Sequence, residues 1–68
     1  MNEETFNMSI RKFLKMVGVR LQTEIERAVA KAVADGKLEG NEAFPARIQL
    51  TIGKIGLNLT LDGEIRLE

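Results

Sequence analysis

Few side chains in this sequence could do chemistry. Five hydroxyls (Thr5, Ser9, Thr23, Thr51 and Thr60) stand in a chain with no Cys, His, Trp or Tyr. Acid–base and nucleophilic catalysis lean on His, Cys, Tyr or an activated Ser, and Ser9 has no imidazole to activate it. The carboxylates are scattered, with no close pair at a spacing that would drive two pKa values apart. Losing Cys and His together also removes the usual ligands of zinc, copper and haem, leaving only carboxylate oxygens for a hard cation. The expectation is a protein that is not an enzyme, with no cofactor, no metal site and no small-molecule ligand.

Two patterns touch nucleic-acid binding. Gly53-Lys54-Ile55-Gly56 has the form of the loop by which KH domains clamp a nucleic-acid backbone, but there the loop joins two helices. Here it stands between alternating apolar residues, which suits a β-hairpin turn. Gly18-Val19 between two helical patterns invites a helix–turn–helix reading. Its second helix, however, would expose Arg20, Glu24, Arg27, Lys31 and Asp35, a mixed set instead of a base-reading surface. Ten Lys plus Arg balance ten Asp plus Glu, so no general polyanion affinity is expected. Arg11, Lys12 and Lys15 make a short basic patch, and with Lys54 they carry the alternative reading, a weak nucleic-acid-binding domain.

The elements that position these residues follow from periodicity. Phe6, Ile10, Phe13, Leu14 and Val17 recur at i, i+4, i+7, i+8 and i+11, which predicts an amphipathic helix over about 3–17. Asn2 is its natural N-cap, Glu3 and Glu4 suit the positive end of the dipole, and Gly18 can supply a left-handed stop. Leu21, Ile25, Ala28, Val29, Ala32 and Val33 predict a second helix over about 21–35, closed by Asp35-Gly36. Residues 36–46 read as a loop, anchored by Leu38 and Phe44.

The period then changes from 3.6 to 2. Ile48, Leu50 and Ile52 predict a strand over 47–52; Ile55, Leu57, Leu59 and Leu61 a second over 55–61; Ile65 and Leu67 a third over 65–68. A two-residue turn at Gly53-Lys54 would pair Ile52 with Ile55 and Leu50 with Leu57, keeping the apolar residues on one face. The turn at Asp62-Gly63 needs either a bulge or a three-residue loop to keep Ile65 inside. The predicted fold is α+β, a helical hairpin covering one face of a three-stranded antiparallel meander, as one domain over 1–68.

At 68 residues such a domain has a small core and no disulfide to support it. No apolar run approaches the ~20 residues that span a bilayer, and the acidic start lacks a signal-peptide pattern, so a cytoplasmic protein is expected. On the sheet's outer face Gln49 opposite Asn58 and Thr51 opposite Gly56 would make a flat uncharged surface, continued by Thr60. Gln49, Thr51, Asn58 and Thr60, together with Arg11, Lys12 and Lys15, form the candidate interaction surface. Its expected occupant is an unknown protein partner or a second copy, with no membrane and no nucleic acid in the leading reading.

Met1-Asn2-Glu3-Glu4, the run Phe6-Asn7-Met8-Ser9-Ile10-Arg11-Lys12-Phe13-Leu14-Lys15 and Val17-Gly18-Val19 resemble a family of small uncharacterised bacterial proteins. Glu24-Ile25-Glu26, Ala28-Val29 and the ending Asp62-Gly63-Glu64-Ile65 look like the same family. The resemblance implies a compact stand-alone domain and brings no activity with it.

Overall fold

The computed structural model describes residues 1–68 and contains one helix, α1 (Glu3–Ala34), followed by two strands, β1 (Ala43–Ile52) and β2 (Leu57–Arg66). The chain divides into two compact units, Met1–Lys37 and Leu38–Glu68. The fold class is α+β, but the helical hairpin and the three-stranded meander are both absent.

The first correction concerns Gly18. It does not stop a helix; α1 runs through it for 32 residues, and its backbone has no positive φ. Glycine within a helix costs about 1 kcal/mol relative to alanine. Breaking the helix there would instead orphan the backbone groups of two new helix ends. The chain offers little to cap them: Thr23, the nearest side chain suited to the task, donates its hydroxyl to the Val19 carbonyl at 3.2 Å. The apolar stripe also stays in phase, because Leu21 lies four residues beyond Val17 and Ile25 four beyond Leu21. One helix keeps the whole stripe on a single side.

Both true ends are read correctly from sequence. The Asn2 side chain accepts from the Thr5 N–H at 3.0 Å, and Glu3 and Glu4 occupy the first turn. At the other end Gly36 takes φ +76°, the left-handed conformation that glycine adopts without a Cβ penalty. Its N–H reaches the Val33 carbonyl at 3.1 Å while that of Lys37 reaches Ala32 at 2.8 Å, which is the double closure of a Schellman stop. Exposed i,i+4 pairs, Arg20–Glu24 at 3.1 Å and Lys31–Asp35 at 2.6 Å, add about 0.3–0.5 kcal/mol each.

The second correction concerns the strands. The segment 43–46 belongs to β1 and not to the loop 36–46, while the expected strands 55–61 and 65–68 are replaced by one strand, β2. Asp62-Gly63 is therefore no turn. Gly63 occupies an apolar-phase position between Leu61 and Ile65, so the alternation passes through it unbroken. The hairpin turn is also longer than two residues: Gly53–Ile55 form a 3₁₀ turn and Gly56 closes it at φ +67°, its N–H on the Gly53 carbonyl at 3.2 Å. Four-residue hairpin loops are commonly built this way. Ile55 leaves the ladder and is 70% exposed at the tip.

The register shifts by two residues, so parity survives. Ile52 pairs with Leu57, Leu50 with Leu59, Ile48 with Leu61 and Phe44 with Ile65. These eight residues, with Ala46 opposite Gly63, form one wholly apolar face. Pro45 is tolerated because both strands of a two-stranded sheet are edges. No residue of either unit is buried; Val17, Leu21, Val29, Ala32, Phe44, Leu50 and Ile65 are half-buried.

Ahead of β1, the Glu42 carboxylate gathers the loop around itself. It accepts from the N–H groups of Glu39 at 2.8 Å, Gly40 at 2.9 Å and Asn41 at 3.2 Å. Those bonds, that from Glu39 first and that from Gly40 next, hold its pKa below the ordinary 4.5.

Gly18→Ala should raise helicity and stability by up to about 1 kcal/mol, because a Cβ there meets only open space. A thermal melt followed by circular dichroism checks it; destabilisation would mean that Gly18 adopts a turn. For Glu42, a folded pKa lowered from 4.5 means that its bonds stabilise the loop above that value and are lost as pH falls through the lowered one. A carbon-detected titration should give Glu42 a midpoint under 4.5, with the Glu39 and Gly40 amides moving in step. A midpoint at or above it would contradict the loop geometry.

Candidate functional site

The candidate residues fall into two groups, one in each unit. On α1, Arg11, Lys12 and Lys15 line an open furrow with Thr5, Met8 and Ser9. None of the three cations forms an ion pair, whereas Arg20 and Lys31 further along are engaged by Glu24 and Asp35. Three adjacent unpaired cations leave a small positive field with methionine beside it. The furrow is shallow, as is a second one along Met16, Val19, Thr23 and Arg27. Both furrows are lined by residues of α1 alone.

On the hairpin, the polar face brings the other four candidates together, though not in the expected pairs. Gln49 faces Thr60 and Thr51 faces Asn58; the pairing of Gln49 with Asn58 and of Thr51 with Gly56 is displaced by the longer turn. This uncharged patch is bounded by an ion pair, Arg47 Nε to Asp62 Oδ1 at 2.7 Å. Arg66 and Glu64 stand further along, 4.0 Å apart. The Arg47–Asp62 pair is exposed on both sides, so it fixes register more than it adds stability.

Two of the five hydroxyls bond to the helix backbone. Ser9 donates to the Phe6 carbonyl at 2.7 Å, and Thr23 is spent on Val19 in the same way. No group of three or more Asp or Glu converges on a point that could hold a metal ion. No helix is long and apolar enough to cross a membrane.

The larger surfaces are the ones assigned to a core by the sequence reading. On α1, Phe6 is 48% exposed, Phe13 44% and Leu14 55%; on the hairpin, Ile48 is 46% and Leu61 55% exposed. Their spacing was plain in the sequence, but periodicity states which face is apolar and not what covers it. Scattered exposed apolar residues are ordinary on protein surfaces, while contiguous apolar faces mark interaction sites.

No curated protein and no solved structure matches the chain. One family model does, over residues 1–68, the full length of the sequence. Its description is a family of unknown function, DUF6494, in line with the resemblance drawn from the helix and from the Asp62–Ile65 segment. The chain belongs to that family.

Proposed function

We propose that the protein is a non-enzymatic interaction module that binds protein through the apolar faces of its helix and its hairpin. The observation that carries this reading is the hairpin face. Phe44, Ile48, Leu50, Ile52, Leu57, Leu59, Leu61 and Ile65 share one side of the sheet, and none of them is buried. A two-stranded sheet is marginally stable in water unless something packs on its apolar side. The use of Ser9 and Thr23 as backbone partners and the openness of both furrows support the non-enzymatic part. A cysteine-free chain is compatible with a reducing, cytoplasmic setting.

The basic patch takes second place to these faces. Three cations with zero net charge overall make a weak polyanion site.

An apolar fluorescent dye should brighten with the dilute folded protein, and Leu59→Lys with Leu61→Lys should remove most of that signal. A dark dye with a cooperative melt at low concentration would overturn the reading, since the faces would then be covered within one chain. So would salt-dependent binding of mixed oligonucleotides without any protein association, which would favour the basic patch instead.

A further inference from the structure

The two long edges of the hairpin are not alike. The Leu67 N–H reaches the Glu42 carbonyl at 2.9 Å, and these two residues continue the ladder one step beyond the pair of Ala43 with Arg66. Antiparallel pairs alternate between residues that exchange hydrogen bonds and residues whose backbone groups point away from the partner strand. Counted from that bonded pair, the even-numbered residues of β1 bond to β2, and the odd-numbered ones turn their N–H and C=O outward. Pro45, which has no N–H to donate, falls in the outward set, in agreement with this count.

The open side of β1 therefore carries Ala43, Pro45, Arg47, Gln49 and Thr51, and that of β2 carries Asn58, Thr60, Asp62, Glu64 and Arg66. Charged residues and proline keep sheet edges from pairing. β2 sets three charged residues in succession along its edge. β1 has Pro45 towards one end and a single charge, Arg47, which is already paired with Asp62 at 2.7 Å. From Arg47 to Thr51 its edge is unguarded.

A strand that pairs there needs matching open groups, and the same stretch of a second copy has them. Antiparallel pairing about Gln49 sets Gln49 against Gln49 and Arg47 against Thr51. Pro45 then falls beyond the ladder, opposite Gly53 in the turn. Neighbouring registers fit worse. A centre at Arg47 opposes like charges and sets Pro45 against Gln49, and one at Ile48 sets Thr51 against Pro45. Centres at Leu50 or Thr51 push Arg47 or Gln49 against Gly53. In the Gln49 register Ile48 lies beside Leu50 and Ile52 beside Ala46, so two apolar faces join into one across four strands. Two strands alone are marginal in water, whereas three or more with an apolar face can stand independently.

We infer that β1 is a homodimerisation edge, pairing antiparallel with β1 of a second copy over residues 47–51 about a two-fold axis at Gln49. The inference goes beyond the proposed use of the apolar faces, since it concerns an edge and leaves the joined face open to a protein partner.

Sedimentation of the full-length protein should give twice the 7.6 kDa chain mass. Amide exchange reads the edge directly: the N–H groups of Arg47, Gln49 and Thr51 should be slowed, while those of Thr60 and Asp62 exchange freely. Gln49→Arg and Gln49→Glu each set like charges across the axis on the solvated face. Each should weaken association several-fold, and an equimolar mixture of the two should regain it. A 7.6 kDa particle at every concentration, slowed amides on β2 in place of β1, or a mixture no tighter than either variant would overturn the inference. The interaction-module reading is judged apart, because a monomer that still brightens the apolar dye overturns the edge pairing alone.

Discussion

Apolar surface has to leave water for a chain of this size to hold one structure, and each unit here supplies a single layer. A stable domain needs at least two layers around a shared interior. At 32 residues, α1 is well beyond the ~12–15 below which isolated helices are marginal, and its caps are satisfied at both ends. The hairpin depends more on a cover, because two strands alone bury little. The half-buried state of Leu21 and Val29 on the helix, and of Phe44, Leu50 and Ile65 on the hairpin, is the limit each layer reaches. Local hydrogen bonding sets the shape of each unit; what covers its apolar face decides how firmly that shape is held.

Glycine and phase give conflicting signals in this sequence, and phase prevails at both contested positions. Gly18 stands where a stop would be natural, but Leu21 continues the stripe that ends at Val17, and a helix that keeps its stripe needs no new caps. Gly63 follows Asp62 in a pattern typical of tight turns, but it falls on the apolar beat between Leu61 and Ile65. Gly36 punctuates the chain where the helical period ends and Gly56 closes the hairpin turn, and both take positive φ.

The candidate site was legible in part for the same reason. Alternation put Gln49, Thr51, Asn58 and Thr60 on one polar face, and that is where they lie. Their partners were displaced because strand pairing depends on loop length, and the loop depends on the left-handed Gly56, which composition alone does not reveal. Spacing marks the apolar residues of the main surfaces, and the structure leaves them exposed. Nothing in a period distinguishes a face closed by the same chain from one closed by another.

If folding and association are coupled through these faces, stability must depend on how much protein is present. The most direct test is the thermal midpoint of the unmodified protein, followed by circular dichroism over a hundred-fold dilution. Mass action on a folded dimer makes that dilution cost about 2.7 kcal/mol, so the midpoint should fall by several degrees or more and the transition should begin earlier. A midpoint that does not move with concentration would contradict the account, because each chain would then be closing its own apolar faces.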